Sequence, residues 1–150
     1  MNKMKEFYAF MNKQGYEVSD LKANESKIEN RPFEQFKLGP FVFTYEDRII
    51  TITAVWCSYF GKKAPEINSE EFNMMTNMMA DYHKIGRITF NSSPLHVSLD
   101  WSLPMLNSID YSRVQLVYEY LADIYDKWDQ VVFDIIHNDA SFEELFMEME

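Results

Sequence analysis

Apolar residues near the C-terminal end recur at alternating steps of three and four, which predicts one long helix over residues 112–137. Ser112 and Gln115 fit a capping box at its start. The repeating positions form one stripe: Val114, Val117, Leu121, Ile124, Trp128, Val131 and Ile135. A coiled coil could cover this stripe, but three heptads are a short basis for one, so we expect the chain's own β-sheet to do so.

A period of two predicts strands elsewhere. The clearest is 95–103, where Leu95, Val97 and Leu99 alternate with polar residues. β-Branched and aromatic residues at alternating positions predict further strands over 32–38, 41–45, 48–56 and 87–90. We place the turn between the second and third strands at Glu46 and Asp47.

Two more helices are predicted at 2–14 and 69–85, the second with Asn68 and Glu71 as its capping box. Residues 18–30 show no clear period and are interpreted as a connection, with a short strand near 16–21. The order α-β-β-β-α-β-β-α predicts an α+β fold: a single domain over 1–150 with an antiparallel sheet of about five strands and helices packed mainly on one face. An acidic tail follows from about 139, where Ser141 and Glu144 would cap a short helix.

Charge is unevenly distributed along the chain, whose net charge is -10. Residues 1–63 carry 10 basic and 8 acidic side chains, whereas residues 64–150 carry 4 basic and 16 acidic ones. An acidic half repels phosphate backbones, which argues against nucleic-acid binding. It is either an ordinary solvated face or an attraction for a basic protein partner.

The number of cysteines and the hydropathy of the chain predict the cellular compartment. Cys57 is the only cysteine, so no intramolecular disulfide can form, and we expect a reducing, cytoplasmic location. No stretch approaches the ~20 apolar residues that a membrane span requires. Lys3, Lys5 and Glu6 interrupt the first residues, which therefore predict a surface helix and no signal peptide.

Residues capable of chemistry are present without the spacing that chemistry needs. His96, Ser98 and Asp100 lie two apart on a strand, hence ~6.5 Å apart along its axis, whereas a nucleophile and its base need ~3 Å. Cys57 is interpreted as a structural thiol. His83 and His137 show no metal-ligand spacing, and the four glycines form no phosphate-binding loop. We therefore expect no catalytic, cofactor or metal site, and an enzyme is the least favoured function class.

The most informative local feature is a methionine cluster in the second predicted helix, formed by Met74, Met75, Met78 and Met79. Methionine is flexible and polarizable, and surfaces that bind varied partners use it. Four methionines in six positions cover more than one helical face. They form either a partner-binding surface, a dimer seam or ordinary core.

The order of elements resembles the YbjN family, described as putative bacterial sensory transduction regulators with a fold similar to type III secretion chaperones. The resemblance lies in residues 71–77 (EFNMMTN) leading to 86–90 (GRITF), in the strand 97–103, and in a terminal helix with Ser112 at its start and Trp128 late in it. The chain departs from the family in its methionine content, in residues 35–45 and in its acidic tail. The resemblance implies a non-enzymatic, chaperone-like or regulatory binding module, often a homodimer, and transfers no catalytic residue.

Two non-enzymatic hypotheses therefore stand beside the enzyme. The first is a protein-binding module that presents the methionine cluster or an open sheet edge to a partner segment. The second is an acidic inhibitor or immunity-type protein that masks a basic partner. Binding that weakens steeply with salt would distinguish the second hypothesis from the first.

Overall fold

A computed structural model describes residues 3–25, 32–61, 63–92, 94–137 and Glu144. The predicted tail helix after residue 138 lies outside this range, apart from Glu144. The helices and strands are α1 (Lys3–Lys13), β1 (Val18–Glu25), β2 (Pro32–Leu38), β3 (Phe41–Glu46), β4 (Ile49–Ser58), α2 (Ser69–Tyr82), β5 (Arg87–Ser92), β6 (Leu95–Pro104) and α3 (Tyr111–His137).

The described chain forms an antiparallel α+β fold, as predicted, with one more strand than expected. The sheet has six strands in the order β1-β2-β3-β4-β6-β5. The additional strand is β1, which pairs with β2 from Val18↔Leu38 to Glu25↔Pro32. The ladder shifts register between Ser19 and Lys22, around Asp20 with its positive φ of 54°. This bulge and the polar sequence of β1 obscure the period of two that predicts a strand.

Contacts divide the chain into two compact units, each described by itself. The first comprises Met1–Ala54 and Asp100–Glu119, and the second comprises Val55–Leu99 and Tyr120–Glu150. Strands β4 and β6 and helix α3 contribute residues to both units.

Aromatic side chains fill the core of the first unit. The register pairs Phe36 with Phe43, and their rings stack with centroids 4.7 Å apart. Phe7 of α1 meets both rings edge-on and stacks on Tyr111 at 5.4 Å. Tilted and edge-on contacts add to the burial of aromatic area. Helix α1 is thereby fixed to β2, β3 and the start of α3.

In the second unit, the C-terminal part of α3 contacts the C-terminal end of α2 and the end of β4. Its fully or nearly fully buried side chains include Phe72, Met75, Met79, Leu95, Val97, Leu99, Leu121, Ile124 and Trp128. Trp56 stacks on Tyr125 at 5.4 Å and 3°, and its indole N–H donates to the Tyr125 carbonyl oxygen at 3.1 Å. That carbonyl belongs to helix α3, so the bond attaches the end of β4 to the helix.

The predicted stripe of α3 is confirmed, but its predicted cap is wrong. Six of the seven stripe residues are buried, and Val117 is half-buried. The helix is capped by Asp110, whose Oδ1 accepts from the Arg113 N–H at 3.2 Å, while its carbonyl accepts from Val114. Ser112 lies inside the first turn of α3 and has helical backbone angles. It therefore cannot be the cap, which requires non-helical backbone angles.

The β3–β4 turn lies one residue later than predicted. Glu46 still pairs with Ile49, which leaves Asp47 and Arg48 as a two-residue turn. Both have positive φ, 53° and 63°, as a type I′ hairpin turn requires. Aspartate is favoured at the first of these positions, whereas Arg48 occupies the second, where glycine is preferred. The Arg48 carbonyl also accepts from the Met105 N–H at 2.8 Å.

This turn carries a removable backbone strain. We expect Arg48→Gly to raise the free energy of unfolding by about 0.5 kcal/mol, because glycine adopts positive φ without the Cβ clash and loses only part of this gain to chain entropy. Urea denaturation measures the change. Arg48→Ala is the matched control, since it removes the side chain and keeps the strain. Equal stability of the glycine and alanine variants would contradict the prediction.

Candidate partner-binding face of helix α2

Helix α2 has a chemically marked start. The Asn68 side-chain oxygen accepts from the backbone N–H groups of Glu70 at 3.0 Å and Glu71 at 3.2 Å, which confirms Asn68 as the predicted cap. The helix ends at Tyr82, three residues before the predicted end at residue 85, because the next residue, His83, has extended backbone angles. The His83 N–H still bonds the Met79 carbonyl at 3.2 Å.

The structure divides the four candidate methionines into two pairs. Met75 and Met79 are fully buried beside Phe72, whose ring stacks on Phe90 of β5 at 5.1 Å. Met74 and Met78 are each 36% exposed. Two of the four candidate residues are therefore core of the second unit, and only Met74 and Met78 can meet a partner.

The exposed methionines belong to a longer apolar row. Met74, Met78 and Tyr82 are spaced by four residues, so they follow one another along one side of α2. Tyr82 is 52% exposed, and Ile85, just beyond the helix, is 38% exposed. We call Met74, Met78 and Tyr82 the exposed row.

The charges along the exposed row are not uniform. Glu70 is one turn before Met74, Asp81 lies three residues after Met78, and both are exposed. Helix α2 contains three acidic residues and no basic one. At the C-terminal end the Lys127 Nζ from α3 lies 4.0 Å from the centre of the Tyr82 ring, a close cation–π contact. The exposed row is therefore an apolar surface with exposed carboxylates beside it and one lysine at its Tyr82 end.

The C-terminal end of α2 is held on α3 by a half-buried histidine. The Trp128 indole N–H donates to Nε2 of His83 at 2.6 Å, and Trp128 itself is fully buried. Burial and, secondarily, the Lys127 cation lower the pKa of His83 below its ordinary value of 6.5. Sequence reasoning interpreted His83 as an ordinary residue at a helix end, because its partner is 45 positions away and no local pattern marks the pair.

The other residues considered for chemistry are distributed differently. The His96 ring contacts the exposed Phe60 ring at 5.4 Å, and Ser98 is buried, whereas Asp100 belongs to the other compact unit. Burial raises the pKa of the Cys57 thiol, which holds it in the unreactive, protonated form. His137 lies 3.3 Å from the Tyr59 hydroxyl.

Two searches of the described residues bear on metals and membranes. Within residues 3–137, apart from the gaps at 26–31, 62 and 93, no group of three or more His, Cys, Asp or Glu side chains could hold a metal ion. Across the same part of the chain, no helix has the length and apolar character needed to cross a membrane.

No family model matches the chain, and no curated protein matches it. Inferences about function therefore rest on the residues and their geometry.

The division of the methionines predicts opposite effects on stability. We expect Met75→Ala to lower the free energy of unfolding by about 2–5 kcal/mol, because it leaves a cavity beside Phe72. The matched Met74→Ala, one position away in the same helix, should change it by less than about 1 kcal/mol. Urea denaturation measures both. A Met74→Ala loss as large as that of Met75→Ala would contradict this division.

Proposed function

We propose that this chain is a non-enzymatic protein-binding module, chaperone-like or regulatory, that binds a basic amphipathic segment of a partner on α2. The observation that carries the proposal is the exposed row of Met74, Met78 and Tyr82 above the buried Met75 and Met79. Exposed methionines adapt to partners of different shape, because the thioether chain is unbranched and flexible.

A firm support beneath the exposed row favours binding over simple solvent exposure. Helix α2 is capped at Asn68, packed through Phe72 on β5, and bonded at His83 to Trp128. The exposed row is therefore already formed before a partner binds. Little free energy would be lost to ordering the helix on binding.

Charge indicates the chemistry of the partner. Glu70 and Asp81 lie beside the exposed row, and α2 carries no basic residue. An amphipathic helix with lysine or arginine flanking its apolar face would place apolar side chains on Met74 and Met78 and its cations against these carboxylates. The Lys127 cation, which contacts the Tyr82 ring, lies at that end of the row and would set the direction of the partner segment.

The family and the compartment form part of the same proposal. The resemblance of residues 71–77 and 86–90 to the YbjN family supports a type III secretion chaperone-like binding role, and these residues include the middle of α2 with Met74, one of its two exposed methionines. The single, half-buried Cys57 agrees with a cytoplasmic location, where thiols stay reduced.

A second candidate function is an acidic inhibitor or immunity-type protein. The observation that favours it is the charge of residues 64–150, with 16 acidic against 4 basic side chains. In that case charge alone would hold the partner, and the apolar row would contribute little.

Peptide binding tests the proposal. The probe is a fluorescent Leu/Lys amphipathic helix of about 18 residues, and a peptide of the same composition in scrambled order is its control. Fluorescence anisotropy should give tighter binding for the amphipathic peptide. Met74→Ser combined with Met78→Ser should weaken it by about tenfold or more, because truncating apolar anchors removes most of the contact energy.

The matched protein control is Leu116→Ser, because Leu116 is 67% exposed and lies on α3 outside the exposed row. It should leave peptide affinity unchanged. Unchanged binding by the double serine variant would overturn the proposal. Binding that is also lost steeply between about 50 and 300 mM salt would favour the acidic inhibitor.

A second copy of the chain is the other potential occupant. Light scattering across protein concentrations distinguishes it: a homodimer that dissociates in the double serine variant would assign the exposed row to self-association. In that case the peptide would compete with dimer formation.

A further inference from the structure

The hydrogen bond between Trp128 and His83 admits one protonation state only. An indole nitrogen donates and never accepts, so His83 must present a lone pair at Nε2. The bond of 2.6 Å therefore requires a neutral imidazole with its proton on Nδ1. Because Trp128 is fully buried, its N–H has no access to water as a substitute acceptor.

The Trp128 N–H and the Lys127 cation oppose a positive charge on His83. From α3, Trp128 presents its N–H, and the Lys127 cation lies over the adjoining Tyr82 ring. From α2, the Tyr82 ring meets the imidazole edge-on at 5.0 Å. Asp81 and Lys84 flank this pair in the chain and are both exposed. A proton on Nε2 would set two N–H donors against each other beside an existing cation.

We propose that His83 is a proton-sensitive latch that keeps the C-terminal turn of α2 on α3 and thereby controls the exposed row. This inference rests on the proposed function, because the exposed row is the surface to which that function assigns partner binding. His83 directly follows Tyr82, the last residue of the row, and its N–H closes the final turn of α2 on Met79. When the imidazole leaves Trp128, the Tyr82 ring moves with it and the row shortens to Met74 and Met78.

The direction of the pH effect follows from the lowered pKa. The unfolded chain takes up a proton on this histidine near pH 6.5, whereas the folded chain resists it to lower pH. The stabilising contribution is therefore complete above pH 6.5 and is lost as the pH falls through the folded-state pKa. The Trp128–His83 hydrogen bond, and with it the latch, is therefore formed at neutral pH and broken in acid.

Nuclear magnetic resonance of the indole N–H groups monitors the Trp128–His83 hydrogen bond without any partner. The Trp128 signal is assigned by elimination with Trp56→Phe and Trp101→Phe. Between about pH 7.5 and 5.0 it should move along a single titration curve with a midpoint below 6.5. In His83→Gln the amide oxygen accepts the same N–H without titrating, so the Trp128 signal should stay in place.

Fluorescence anisotropy with the Leu/Lys peptide measures the binding affinity of the exposed row over the same pH range. The wild-type chain should lose about tenfold in affinity as the latch opens, a typical size for coupling between two sites. His83→Gln should retain most of its affinity in acid. His83→Ala lacks the acceptor and should bind weakly at both pH values. An equal loss for wild type and His83→Gln would overturn the inference, since other titrating groups are the same in both.

The two readouts separate this inference from the proposed function. A Trp128 signal that does not move, together with peptide binding that depends on Met74 and Met78, overturns the latch and leaves the proposed function standing. A Trp128 signal that titrates, with no peptide binding at any pH, overturns the proposed function and with it the control of binding.

Discussion

The rotation of α2 about its own axis, set by the contacts that anchor it, decides which of its methionines are exposed. Successive residues are about 100° apart, so positions 74, 75, 78 and 79 span about 140° of the α2 circumference. In α3, Val131, Val132, Ile135 and Ile136 have the same spacing and are all buried, so the spacing alone does not expose a pair; the direction in which α2 faces does. Burial of Phe72, Met75 and Met79 in the second unit leaves Met74 and Met78 at the surface. The exposed row is thus the geometric counterpart of the core beneath it, and the anchoring of α2 determines which pair is exposed.

Anchoring of α2 comes from contacts of different character. Asn68 satisfies backbone N–H groups at the first turn, and Phe72 stacks on β5. At the other end, one hydrogen bond joins His83 to the buried indole of Trp128. The first two contacts are insensitive to pH, whereas the third depends on a neutral imidazole. This asymmetry is the reason why the C-terminal end of the exposed row is the adjustable one.

Much of the fold could be predicted from the sequence, because strong periods decide it locally. Residues 114–135 of α3 and the buried Leu95, Val97 and Leu99 of β6 follow directly from periods of 3.6 and 2. Only a short strand near residues 16–21 could be predicted where β1 covers Val18–Glu25, since the polar residues of β1 form the whole strand only through pairing with β2 and contain a bulge at Asp20. The α2 cap Asn68 is where the sequence predicts it, whereas the α3 cap differs by two residues and the β3–β4 turn by one. Asp110, Ser112 and Asp47 are all acceptable locally, and backbone angles select among them.

The candidate site was predictable in part. Spacing alone singled out the four methionines, but which of them are buried depends on the rotation of α2 against the rest of its unit, which the helix sequence does not encode. The His83–Trp128 bond joins residues 45 positions apart and leaves no local pattern.

Both proposals depend on the division of the α2 methionines into a surface pair, Met74 and Met78, and a core pair, Met75 and Met79. Methyl resonances of the methionines, recorded with a water-soluble paramagnetic agent, test it most directly. The signals of Met74 and Met78 should broaden strongly, whereas those of Met75 and Met79 should be as protected as the signals of the fully buried Met4 and Met11. Equal broadening of all four cluster methionines, or equal protection of all four, would contradict it.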